Sequence, residues 1–219
     1  MPTKPITVAL ETTPKKTFAA ALEWPGWCRS AREPDAAMEA LADYAERYAP
    51  IAEAAGFPLP SAITLQEVDR QPGGPATAFG VPEKTFDADC AAVTPAAAKR
   101  LAALVSAAWT YLDDVASHTP EELRKGPRGG GRDRDKMLRH VIEAENSYAR
   151  QLGVKVPMPE LDDTDALEVQ RQAIVAVLGA RSDGSPVHKW TTRYGARRVA
   201  WHVLDHAWEM EDKNPNNPT

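Results

Sequence analysis

The chain contains little cysteine. Cys28 and Cys90 are its two cysteines among 219 residues, and they lie far apart with no Cys-x-x-Cys spacing. This usage excludes a disulfide framework and gives no sign of a zinc ribbon or a dithiol redox pair. We expect each cysteine to be a small residue at the end of a strand.

Long apolar runs and an excess of positive charge are absent too. No stretch is long enough to cross a bilayer, and Met1–Pro5 lacks the apolar segment of a signal peptide. We therefore expect a cytoplasmic protein that has no membrane partner. The net charge of -5 argues against a nucleic-acid partner, although it leaves room for a local basic patch.

The rest of the composition is that of a folded chain, with 43% hydrophobic and 26% charged residues. Its length suffices for one large or two small domains. The residue pattern changes between residues 85 and 93. We therefore predict an α+β fold with a small domain over residues 1–88, a helical domain over 94–212 and a tail over 213–219.

The first part has the alternation of half-buried strands, and its order is predicted to be β-β-α-β. A hairpin with a turn at Thr13–Lys16 comes first, and Pro25–Gly26 ends it. The predicted elements are strands near Ile6–Leu10 and Phe18–Trp24, a helix from Pro34 to Gly56 that Pro50 kinks or interrupts, a strand over 62–68 and a further strand over 76–82.

The second part has helical periodicity. Thr94–Pro95 is a typical helix start, with a capping hydroxyl before a proline, and Thr119–Glu122 has the spacing of a capping box that opens a short helical turn. The last helix is apolar on nearly all sides, which predicts that it is buried. The four long helices are predicted to begin at Thr94 and to cover Met137–Leu152, Asp163–Arg181 and Arg197–Asp212.

Three histidines point to a metal site. His202 and His206 are four residues apart, so they lie on one face of the last helix. His140 falls on the inward stripe of the second long helix and supplies a third imidazole. Three histidine ligands leave coordination positions open, as in catalytic sites. The alternative is that all three are core histidines with hydrogen-bond partners.

Four residues near these histidines are candidates for substrate binding. Arg197 and Arg198 can hold an anionic group, and Glu143 can act as a general base. Tyr148 lies on the apolar stripe of the second helix and completes the set. The alternatives are an internal ion pair for the arginines and a solvated carboxylate for Glu143.

Two further features keep two interpretations each. Asp205 either orients His206 or pairs with an arginine. The loop from Gly126 to Arg134 lacks the Gly-Lys-Ser/Thr ending of a phosphate-binding loop. It is either a flexible connection or a loop over the site that grips an anion.

The stretches Gly129–His140 and Trp201–Asp212 resemble the DinB-like (DinB/YfiT-like) superfamily. The resemblance covers residues 94–212 and implies a four-helix bundle in which His140, His202 and His206 bind a divalent metal, often nickel or zinc. Known activities of the superfamily include S-transferases and a maleylpyruvate isomerase that use mycothiol, bacillithiol or glutathione. The resemblance thus implies a metal- and thiol-dependent enzyme acting on a small molecule.

The N-terminal part resembles the HicB-like domain through its strand pair, Trp24–Cys28 and a helix containing Ala36–Leu41. Arg32–Ala36 replaces the Gly-x-Thr-x-Glu-Glu-Ala sequence of that family. In the enzyme this domain would form a wall of the pocket or a homodimer contact. The alternative function is a non-catalytic module, in which this domain recognises a protein or RNA partner and the bundle is a metal-stabilised scaffold.

Overall fold

The computed structural model describes residues 4–126 and 131–217, which form an α+β fold. Residues 127–130, within the predicted glycine- and arginine-rich loop, lie outside this part. The described residues contain four strands, seven α-helices and a 3₁₀ turn at Asp87–Cys90. The strands are β1 (Ile6–Thr12), β2 (Thr17–Ala21), β3 (Cys28–Ala31) and β4 (Leu65–Pro72). The helices are α1 (Pro34–Asp43), α2 (Ala45–Ala54), α3 (Pro75–Phe79), α4 (Pro95–Ser117), α5 (Arg134–Gln151), α6 (Thr164–Leu178) and α7 (Thr192–Lys213).

The strands form one sheet in the order β3-β2-β1-β4. β1 pairs antiparallel with β2, which confirms the predicted hairpin, and Val8 lies opposite Ala21. β4 pairs with β1 in parallel, with Ile6 opposite Leu65. A parallel neighbour requires a crossover connection, and α1 and α2 lie within it.

The predicted order β-β-α-β was wrong because β3 was missed. Gly26 has φ +92, and the turn at this residue brings the chain back to the sheet, where the Ala21 amide donates to the Trp27 carbonyl. β3 follows at once, and Cys28 begins it. The N-terminal order is therefore β-β-β-α-α-β.

Other local predictions need correction as well. Residues 76–82 do not form a strand, because Pro75–Phe79 is a short helix. The long helix is interrupted at Tyr44, before Pro50. Thr119–Glu122 forms no helical turn, since the Thr119 hydroxyl instead bonds the Val115 carbonyl at the end of α4. Cys90 is exposed and ends the 3₁₀ turn rather than a strand.

The four long helices α4 to α7 pack on one another. Their starts follow the capping chemistry of the sequence. The Thr94 hydroxyl accepts a hydrogen bond from the Ala97 amide, as predicted, and Thr191 does the same for Tyr194 at the start of α7. No helix in the described ranges is long and apolar enough to cross a membrane.

Helix α7 is buried on two sides, which confirms the prediction from its apolar pattern. α4 and α5 pack on one side. On the other side, Trp201 meets Phe18 of β2 edge to face at 6.2 Å. One hydrophobic core therefore runs through the N-terminal and the helical residues, and the boundary near residues 85–93 stays a prediction.

Gly26 offers a test of this packing. A Cβ added here would lie 2.6 Å from Leu204 Cδ1 and 3.1 Å from the Ala200 carbonyl oxygen, whereas one at Gly56 would meet nothing within 4 Å. Both glycines have positive φ. Gly56→Ala should therefore lower the free energy of unfolding by about 1 kcal/mol. Gly26→Ala should cost about 1–3 kcal/mol more, because the new methyl group forces the sheet away from α7.

Urea unfolding of the two variants measures this difference. Equal losses of stability would show that the turn at Gly26 is not held against α7.

Candidate metal centre

The structure brings the three predicted histidines together. His140 comes from α5, and His202 and His206 come from α7. One ring nitrogen of each histidine lies within 4.8 Å of the others. His202 and His206 are buried, and His140 is partly exposed. The helical spacing brings His202 and His206 together on α7, and the packing of α5 on α7 adds His140 to complete the site.

The separation of two of these nitrogens suits a shared ion. Nε2 of His140 and Nε2 of His202 are 3.3 Å apart. Two nitrogens bound to one zinc ion at its usual bond length, in tetrahedral geometry, are about 3.4 Å apart. The donor set is also appropriate, because imidazole nitrogen binds zinc, nickel and other divalent transition metals.

His206 is oriented by two residues on its own helix. Its Nδ1 lies 3.0 Å from Glu209 Oε2, and Lys213 Nζ donates to Glu209 Oε1 at 2.5 Å. An ionised carboxylate only accepts hydrogen bonds, so Nδ1 carries a proton and Nε2 is the nitrogen that can bind a metal. The hydrogen bond with His206, helped by Lys213, lowers the pKa of Glu209 to about 2.

The surroundings keep two of the histidines neutral. Burial lowers the pKa of His202 well below its usual value, and the neighbouring His206 and His140 lower it further. Burial and then the charge of Arg132 lower the pKa of His140. Both rings therefore offer unprotonated nitrogens near pH 7, as metal binding requires.

Aromatic rings surround His202. The Tyr148 ring lies edge-on to it with a centroid distance of 5.7 Å, and the Trp201 ring lies at 5.9 Å. Tyr148 also contacts Trp190 at 5.3 Å. The predicted residue Tyr148 is thus placed beside the histidines, in a wall that limits the access of water to His202.

The two adjacent arginines have different surroundings. Arg197 is buried, and its Nε and Nη2 donate to the two carboxylate oxygens of Asp89 at 2.8 and 2.5 Å. This is the internal ion pair that the sequence left open as an alternative. Arg198 lies one turn before His202 with no such partner in the described part of the chain, and its guanidinium stands over the Tyr148 and Trp201 rings.

The remaining candidates are also placed. Glu143 is exposed on α5, three residues after His140. Asp205 accepts from Arg29 of β3 at 3.2 Å, which confirms its interpretation as the partner of an arginine. Sequence analysis did not single out Glu209 and Lys213 as the pair that orients His206. Their spacing of three and seven residues from His206 was the available signal, since these positions share a helix face.

Removal of the Asp89 carboxylate tests whether Arg197 is structural. Asp89→Asn leaves the buried Arg197 charge unpaired, so the free energy of unfolding should fall by about 3–5 kcal/mol. The affinity for zinc should stay unchanged in the folded variant. Asp87→Asn, at an exposed position in the same 3₁₀ turn, is the matched control and should alter neither property. Chemical unfolding and zinc titration measure both; a zinc affinity that falls in Asp89→Asn would place Arg197 in the site.

Comparisons with protein-family models, curated proteins and solved structures found no match to this chain.

Proposed function

We propose that the chain binds a divalent metal ion, nickel or zinc, through His140, His202 and His206, and that it is a metal-dependent enzyme acting on a small molecule. The observation that carries this proposal is the meeting of three imidazole nitrogens within 4.8 Å. Neutral core histidines would need three separate hydrogen-bond partners. Nε2 of His202 instead faces Nε2 of His140 at 3.3 Å, a separation that one shared ion fits.

The number of ligands favours a catalytic site over a structural one. In the described ranges, the cluster contains three histidines and no fourth histidine, cysteine or carboxylate. Structural zinc sites are closed by four protein ligands, whereas catalytic sites keep one position for water or substrate. The rings of Tyr148 and Trp201 beside His202 provide the apolar surface that such sites use to bind small molecules.

An ion held here would act as a Lewis acid and would lower the pKa of a bound thiol or water. The protein's part is to hold the imidazoles in place. Glu209 and Lys213 orient His206, and burial keeps His202 unprotonated. Exposed Glu143 keeps its predicted role as the candidate base beside His140.

The same proposal extends to the family of the chain and to the class of reaction. A histidine on the second of four long helices and a His-x-x-x-His pair on the fourth follow the DinB-like pattern, and the packing of α4 to α7 supports it. The reaction class we propose is a thiol-dependent S-transfer or isomerisation. The N-terminal sheet, for which we keep the HicB-like proposal, would support the far side of α7.

Elemental analysis tests the metal site. Wild-type protein should carry about one nickel or zinc ion per chain, and the double variant His202→Ala/His206→Ala should carry none, because two of three ligands are gone. His188→Ala removes an exposed histidine outside the cluster and should keep the ion. Wild-type protein without metal after reconstitution would make these histidines core residues and would favour the binding-module alternative.

An activity assay tests the enzyme proposal. Metal-loaded protein should transfer glutathione, bacillithiol or mycothiol to a reactive electrophile such as 1-chloro-2,4-dinitrobenzene. His206→Ala should fold and lose this activity, since the ion is no longer held for reaction, while His188→Ala should retain it. Full activity in folded His206→Ala would contradict metal-dependent catalysis at this site.

A further inference from the structure

Arg198 is held beside the three histidines by aromatic rings. Its guanidinium carbon lies 4.7 Å from the Trp201 ring centroid and 5.1 Å from that of Tyr148. Tyr148 in turn contacts His202. Ring faces attract a guanidinium without using its in-plane N–H donors. Arg198 is therefore held by the two rings and by a hydrogen bond with the Tyr148 hydroxyl, while its Nη1 has no hydrogen-bond partner.

No carboxylate neutralises Arg198 within residues 4–126 and 131–217, and its buried Nη1 has no hydrogen-bond partner. The neighbouring Arg197, by contrast, forms a bidentate pair with Asp89. A buried guanidinium without a partner is costly. The residue as a whole is only partly buried.

A small cavity that Arg198 lines does not neutralise its charge. Arg198, Trp201 and Cys28 line a space of about 10 Å³ between α7 and the β2–β3 turn. That volume holds about one water molecule, which can hydrate Nη1 but cannot neutralise a charge. Cys28 cannot do so either, because burial raises the pKa of its thiol to about 12 and keeps it protonated.

Arg132 carries a second positive charge near the cluster. Arg132, in the segment before α5, lies close enough to lower the pKa of both His140 and His202. Among the described residues it has no ion-pair partner either. Arg132 and Arg198, which come from different segments, thus place positive charge near the three histidines, and an anion would be attracted to the space beside them.

We propose that Arg198 selects the substrate of this site, by binding the carboxylate of a small molecule whose reacting group lies at the histidine cluster. This inference rests on the proposed function, because it places the reacting group at the metal. A carboxylate matches the guanidinium fork with two parallel hydrogen bonds. A carboxylate bound in this way lies in the plane of the guanidinium, so it does not compete with the Tyr148 and Trp201 rings for the faces of the guanidinium.

A matched pair of probes tests the inference. 3-Mercaptopropionate and 3-mercaptopropionamide carry the same thiol for the metal and differ in one charged group. Titration of cobalt-loaded protein, followed by the cobalt–thiolate absorption band, should show the acid binding about tenfold or more tightly than the amide. The preference should vanish in Arg198→Gln. It should persist in Arg150→Gln, which removes from α5 an exposed charge that has no ion-pair partner among the described residues.

A measurement without metal separates the two proposals. The side-chain Nε–Hε resonance of Arg198, assigned by its loss in Arg198→Gln, should shift saturably when the acid is added to metal-free protein and stay in place with the amide. Suppose that the protein binds cobalt, that acid and amide bind with equal affinity, and that the Arg198 resonance does not move. This result would overturn the carboxylate inference and would leave the metal site standing. Failure to bind cobalt, together with a resonance that moves, would overturn the proposed function and retain the carboxylate site.

The variant Arg198→Lys separates recognition by positive charge from recognition by the guanidinium fork. It keeps the charge and loses the planar fork, so the preference for the acid should fall without disappearing. A preference equal to that of wild type would show that charge alone attracts the anion and would overturn recognition by the fork.

Discussion

The structure depends on the burial of α7 from two sides. A helix that is apolar nearly all round has no face to offer to water, so the sheet covers one side and α4 and α5 cover the other. The polar groups that this burial removes from water then have to find partners inside the protein. Arg197 finds Asp89, Asp205 finds Arg29, and His206 finds Glu209. Nη1 of Arg198 and Nδ1 of His202, which lie one turn apart, have no hydrogen-bond partner. Both unpaired atoms belong to residues at or beside the histidine cluster.

The position of His140 depends on a second buried set of polar groups, which holds α5 to its neighbours. Glu145, one turn further along α5, is fully buried and accepts a hydrogen bond from Trp109 of α4 at 2.7 Å. Its other carboxylate oxygen lies 3.6 Å from Arg171 of α6. Burial raises the pKa of Glu145, and the charge of Arg171 opposes this shift. Arg171 also pairs with Asp113 of α4 at 2.7 Å, so this network ties α4, α5 and α6 together and helps to fix the rotation of α5 and so the direction in which His140 faces.

The helices and the histidine cluster were within reach of sequence analysis, because both follow from local spacing. A period of 3.6 residues identifies the inward face, and the same geometry places His202 above His206. β3 was missed although Pro25–Gly26 signals a turn, because its four residues are too short for a clear alternation and Gly26 packs against Leu204 and Ala200 of a distant helix. The different surroundings of Arg197 and Arg198 were beyond sequence analysis. Adjacent helical residues point about 100° apart, and the partner of Arg197 lies 108 residues earlier in the chain.

The packing of α7 on two sides makes the helix rigid, and this rigidity gives the proposed carboxylate site its selectivity. Arg198 and His202 lie on one continuous helix, so their Cα atoms are separated by about 6 Å along its axis. Packing on both sides prevents the helix from bending to suit different ligands. A substrate held by its carboxylate at Arg198 would therefore present to the histidines only those atoms that lie at the matching distance. Selection by length then needs no moving lid, because His202, His206 and the arginine that would bind the carboxylate lie at fixed positions on one helix.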